Sequence, residues 1–141
     1  MYLLDTNVIS QFHKPQPDRG VLNWVGNQDE AELFISVVTV MEIEIGIKRL
    51  ERRDPEQARR LQRWLDQSVL KGFEGRIVPI DLDAARRCAA SHVPDPAPER
   101  DALIAATASS RGFTVVTRNE KDFRRFGVPV LNPFGAPDAR R

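Results

Sequence analysis

Five short apolar runs, each divided from the next by a segment with helical signals, constrain this chain more than any other feature. Residues 2–4, 33–35, 76–80, 114–117 and 128–131 read as strands. Between them the pattern turns helical. Asp18 caps a helix to about Asn27, a long helix spans residues 37–52, and Asp54-Pro55 opens another that ends near Gly72. Asp81 or Asp83 caps a helix to about Ala90. Residues 102–108 are apolar nearly all round, which marks a deeply buried helix ended by Gly112, and residues 119–125 form a short final one. Strands that alternate with helices imply an α/β fold: a central, mostly parallel five-stranded sheet with helices on both faces. The run at 128–131 belongs at an edge, because Pro129 has no N–H for a ladder.

A chain of 141 residues is the size of one domain, and 41% hydrophobic with 29% charged residues suits a globule with a real core. The expected domain is residues 1–132, followed by a C-terminal tail at 133–141. Cys88 is the only cysteine, so neither an internal disulfide nor a cysteine zinc site is available. His13 and His92 are too few for a histidine metal site, so any ligand chemistry must use oxygen. No signal peptide is visible, since Asp5 interrupts the apolar start, and no run is long enough to span a membrane. These features read as a soluble cytoplasmic protein.

The first strand ends abruptly in Asp5-Thr6-Asn7. In open α/β sheets, ligands sit at the carboxyl ends of strands, which makes Asp5 the first candidate for a polar site. On the long helix, Glu44 has Lys48 at i+4, an ordinary surface pairing, whereas Glu42 has no cation at i±3 or i±4. Asp101 opens the buried helix, and Asp122 lies in the short helix after the fourth strand. Each acid also has a local explanation. Asp5 can cap the next helix, and Glu42 can pair with a distant arginine. Asp101 can complement a helix dipole, and Asp122 can belong to a capping box with Asn119.

Helices that follow parallel strands start on the edge where those strands end. Asp5, Glu42, Asp101 and Asp122 can therefore converge. Clustered carboxylates raise one another's pKa unless a cation joins them. Mg²⁺ or Mn²⁺ suits such an all-oxygen site and the chemistry of phosphodiester cleavage. Thr6, Asn7, Thr117 and Asn119 stand next to these acids in sequence and can orient carboxylates, waters or phosphate. Net charge is only +1, but residues 48–63 carry seven cations against three acids. That excess, with Arg49, Arg52 and Arg53 the candidates for contact, either meets phosphates or is a solvated helix face.

Asp5-Thr6-Asn7-Val8, Ser36…Thr39…Glu42, the run from Asp101 through Ala108, and Thr117-Arg118-Asn119…Asp122-Phe123 together resemble a PIN domain, most nearly the VapC/FitB-like toxins of bacterial toxin–antitoxin pairs. The resemblance covers roughly residues 1–132 and implies a PIN-like three-layer α/β/α sandwich. It makes Asp5, Glu42 and Asp101 the three core acids, with Asp122 the carboxylate candidate for a fourth position at which Asn119 offers only an amide oxygen. It further implies metal-dependent endoribonuclease activity, homodimerisation and inhibition by a cognate antitoxin. The antitoxin's C-terminal segment would lie along the active-site groove, and operator DNA would be bound only through the antitoxin.

Other readings remain. The same acids suit a DNA nuclease, and a non-catalytic PIN-like scaffold would bind nucleic acid or a partner without cutting. An acyl-phosphate phosphatase normally pairs its nucleophile with an acid two residues on, where this chain has Asn7. A receiver-type signalling domain needs a lysine after a later strand, for which Lys121 is a loose candidate.

Overall fold

A computed structural model describes residues 1–135. Its strands are β1 (Tyr2–Leu4), β2 (Leu33–Ser36), β3 (Ile77–Val78), β4 (Thr114–Val116) and β5 (Val130–Leu131). The helices are α1 (Thr6–Ile9), α2 (Arg19–Gly26), α3 (Val37–Glu51), α4 (Pro55–Trp64), α5 (Leu70–Gly72), α6 (Leu82–Ser91), α7 (Glu99–Arg111) and α8 (Glu120–Arg124). The strands form one sheet in the order β3-β2-β1-β4-β5, and every pairing is parallel.

That order puts β1 in the centre. The chain winds outward through β2 and β3, then crosses to the other side of β1 for β4 and β5. The reversal falls between β1 and β4, where the crevice at the strand ends is open to a ligand.

Period-two alternation divides the apolar residues between the two faces of the sheet. Leu4, Leu33, Ile35 and Val116 face a core shared with Val8, Val21, Ile43, Ile47 and Leu65. Leu3, Val78 and Val115 face the opposite core, with Ile104, Ala108, Phe113 and Phe123. Helices thus cover both faces, as a sheet of short parallel strands requires. The predicted caps form: Asp18, Asp54 and Asp81 each accept a hydrogen bond from a backbone N–H in the first turn of the following helix. Each such cap is worth about 1 kcal/mol. Gly112 ends α7 in the left-handed conformation, φ 70°, where a Cβ would be strained.

Several elements depart from expectation. The third strand is two residues, not the five of residues 76–80. The Arg76 carbonyl still accepts from Ile35 N at 3.1 Å while its guanidinium donates to the carbonyls of Glu30 and Leu33, both at 2.6 Å, and of Gly72, and Pro79 lacks the N–H needed to extend the ladder. The fifth strand shortens to Val130–Leu131 because Pro129 contributes only its carbonyl, which accepts from Val115 N at 2.9 Å. The helix begun at Pro55 reaches Gly72 through a π-helical stretch at Leu65–Val69. The Glu44–Lys48 pairing gives way to Lys48–Glu51 at 3.7 Å, and Glu44 accepts from Gln62 instead.

Phe134 is buried in the first core, and residues 133–135 run against α2 so closely that a Cβ on Gly20 would collide with their carbonyls. The first part of the expected tail is therefore packed; residues 136–141 lie outside the described residues. Among the described residues no helix is long and apolar enough to cross a membrane.

Candidate active site

Asp5 follows β1 directly and is only 5% exposed. Both its oxygens are engaged. Oδ1 accepts from Thr6 N at 2.8 Å, the capping bond expected of it. Oδ2 accepts from Thr117 Oγ1 at 2.8 Å and from Asn7 Nδ2 at 3.3 Å. Thr117 comes from the end of β4, so the central pair of strands clamps one carboxylate between them. Asn119 N donates back to Thr117 Oγ1 at 3.0 Å, and Arg118 N donates to Asn7 Oδ1 at 3.2 Å. These bonds fix the β4–α8 loop to the β1–α1 turn.

Glu42 enters from α3. Ser36 caps that helix by accepting from Val38 N, so α3 starts where β2 ends, and Glu42 lies within its second turn. Thr6 Oγ1 donates to Glu42 Oε1 at 2.6 Å and lies 3.2 Å from Thr39 Oγ1. Thr6 therefore joins the two acids, with its N–H on Asp5 and its hydroxyl on Glu42. The distant arginine left unnamed by the sequence is Arg100, whose Nη1 stands 3.7 Å from Glu42 Oε2. Its only sequence signal is its place beside Asp101 in the first turn of α7.

Asp101 is half-buried there, and Asp122 is exposed on α8. Asn119 makes no side-chain capping bond to α8, so the alternative of an Asn119–Asp122 capping box does not form. The acids influence one another through space. Burial, above all, pushes the Asp5 carboxyl up to about 6, the bonds from Thr117 and Thr6 oppose the shift, and the charges of Asp101 and Glu42 add to it. Burial likewise raises Asp101, reinforced by Asp122 and Glu42. Four elements that are remote in sequence thus carry acids into one negative field. Among the described residues no three acidic, histidine or cysteine side chains are drawn together as a closed ion cage. The donor set of carboxylate, hydroxyl and amide oxygens is that of a hard cation, and neighbouring acids add to the upward shifts that burial imposes on Asp5 and Asp101.

The candidate arginines separate in space. Glu42, Gly46 and Leu50 follow one another at spacings of four along one side of α3, Arg53 lies in the turn just past the end of that helix, and all four line a groove of about 250 Å³. Thr6, His13 and Trp64 also line it. Arg49 and Arg52 are exposed and do not line that groove. The aromatic pair His13–Trp64, edge to face at 4.8 Å between ring centroids, had no signal in the sequence because its members lie far apart in the chain.

The PIN domain family model matches residues 2–129. A protein named VapC ribonuclease Y4jK from Sinorhizobium fredii is 38% identical, covering 95% of this chain and 98% of its own length. Toxin FitB from Neisseria gonorrhoeae is 36% identical, with 95% and 99% covered. The crystal structure of FitAcB from the same organism superposes with a TM-score of 0.86 at 35% identity, covering 94% of this chain and 98% of that one. With a matched family model over nearly its whole length and full-length relatives above 30% identity, the chain belongs to the PIN-domain family, among its VapC/FitB-like members.

Proposed function

We propose that this protein is a metal-dependent endoribonuclease acting as the toxin of a toxin–antitoxin pair. One observation carries the chemistry: a buried carboxylate, Asp5, is held by hydrogen bonds at the switch point of the sheet, and its pKa is raised by burial first and then by the charges of Asp101 on α7 and Glu42 on α3. Asp5, Glu42, Asp101 and Asp122 would hold Mg²⁺ or Mn²⁺. The bound ion would polarise a phosphodiester and lower the pKa of a water. Thr117, Asn7 and Thr6 fix the Asp5 oxygens, and Thr6 orients Glu42. Such bonds hold ligand oxygens in place before the ion arrives. Asn119 braces Thr117 through its backbone N–H, not through its amide.

Relatives named as ribonucleases support RNA as the substrate. Complexes solved for relatives, including FitAB bound to a DNA fragment, support a cognate antitoxin as partner, with operator DNA contacted through it. Homodimerisation belongs to the same proposal, as does a cytoplasmic location. Of the three candidate arginines, Arg53 lines the same groove as Glu42, which supports it as the RNA contact.

The test is cleavage of RNA, with a matched DNA strand in parallel, by purified protein in Mg²⁺ or Mn²⁺. Asp5→Asn and Asp101→Asn should each abolish cutting. Full activity in both variants would sink the assignment, and preference for the DNA strand would redirect it.

A further inference from the structure

The groove beside Glu42 has a construction that metal binding does not explain. Glu42, Gly46 and Leu50 of α3 line it, with Arg53 from the turn just past that helix, and His13 and Trp64 complete the polar and aromatic part of the lining. Gly46 sits in the middle of a fifteen-residue helix, where glycine is less favourable than almost any other residue. A Cβ placed there meets nothing within 4 Å. Neither a positive φ nor a tight contact requires glycine at this position, so its effect is to leave the groove open. Both rings are half-buried. Burial, with Lys14 nearby, lowers the His13 imidazole below its usual range, although its backbone opposes the shift. A neutral ring is a stacking surface.

We infer that this groove is a subsite for one unstacked nucleobase of single-stranded RNA, adjoining the phosphate to be cut. The inference deepens the nuclease assignment and rests on it. The base would lie between α3 and the His13–Trp64 pair, over Gly46. Thr6 and Glu42 close one end, next to the acids, and Arg53 supplies a cation for a neighbouring phosphate. A volume of about 250 Å³ admits one base and little more. Aromatic platforms joined to a basic residue are the usual means of holding a splayed-out base, and they tolerate any base because each has a π face.

The test is equilibrium binding that does not depend on cutting. The full chain carrying Asp5→Asn, which the nuclease assignment expects to bind RNA without cleaving it, is titrated in Mn²⁺ with a short single-stranded RNA containing 2-aminopurine. Stacking should quench the probe. Adding Gly46→Leu should weaken binding about tenfold and abolish quenching, while the melting temperature stays at or above that of the parent, because leucine is the better helix former. His13→Ala is a second variant that should reduce quenching without filling the groove. Arg53→Gln should flatten the dependence of log Kd on log salt by about 0.7, as expected for one lost phosphate contact.

Unchanged affinity and quenching in Gly46→Leu, or equal binding of an RNA abasic at the probe position, overturns the subsite. So does a groove that takes a basic peptide with which RNA does not compete, since the occupant is then a polypeptide. The two readings fail separately. If wild-type protein cuts no RNA but base-dependent quenching remains, the nuclease assignment falls and the subsite stands.

Discussion

Asp5 and Asp122 are two of the four acids proposed to hold the metal, and they are built in opposite ways. Asp5 is buried at the end of the central strand, and three donors hold its two oxygens. Asp122 is exposed on a five-residue helix, and no described hydrogen bond or ion pair holds its side chain. Burial makes the first corner rigid and electrostatically strained. Exposure leaves the second free to adjust and costs the fold nothing. A rigid, strained carboxylate binds a cation without reorganising, whereas a free one contributes mainly charge.

The largest expected difference is in catalysis. Asp5→Asn should lower RNA cleavage by about a thousandfold or more, in line with losing a principal electrostatic group, while Asp122→Asn should cost about tenfold. Steady-state rates on one RNA substrate check both, and equal losses would erase the distinction between the corners.

Next comes the scaffold of the first corner. Thr117→Val removes the 2.8 Å bond to Asp5 but keeps the shape of the side chain. It should weaken Mn²⁺ affinity about 10- to 100-fold, read by calorimetry. Among the described residues none plays this part for Asp122, so the exposed corner offers no equivalent variant there.

Stability should move the other way. The folded-state pKa of Asp5 lies near 6, against 3.8 when unperturbed. A raised carboxyl pKa means that the native state holds its proton more tightly than the unfolded chain. The stabilising contribution is complete below about pH 4 and is lost as pH rises through 6. Above that, the strain is about 3 kcal/mol, from roughly two pKa units. Metal-free Asp5→Asn should therefore melt several degrees above wild type at pH 7.5, with the gap closing near pH 4. Its amide oxygen still accepts from Thr6 N. Asp122→Asn should change melting little at either pH. A wild type more stable than Asp5→Asn at pH 7.5 would contradict the strain.

The smallest expected effect concerns Arg100, the cation paired with Glu42 at 3.7 Å. An ion pair this exposed is worth little to the fold. Arg100→Gln should lower melting by no more than a degree or two, yet tighten Mn²⁺ binding a few-fold by freeing Glu42. Calorimetry showing weaker binding would make Arg100 a supporting residue instead of a competitor.

Much of this was legible in the chain because the signals are local. The ends of β1 and β2, the caps at Asp18, Asp54 and Asp81, and the stop at Gly112 all depend on residues within four positions of one another. The choice of Glu42 over Glu44 came from helical spacing alone. Where the reading failed, a remote partner had prevailed. The third strand is cut short by Pro79 while the Arg76 guanidinium is tied to carbonyls more than forty residues away as well as a nearby one, and Phe134 was drawn from the expected tail into the core that Leu4, Val8 and Val21 also build.

By itself, then, the sequence determined the alternation of strands and helices, the acids at their ends and the oxygen-only donor set. These follow from periodicity, capping chemistry and the scarcity of cysteine and histidine. Only the tertiary structure decided that Thr6 joins Asp5 to Glu42, that Thr117 clamps Asp5 from across the sheet, that Arg100 reaches Glu42, and that Gly46 opens a groove between them and Arg53. The physical reason is range. A side chain's partner across a parallel sheet is set by crossover connections tens of residues long, and no local pattern records where those connections return.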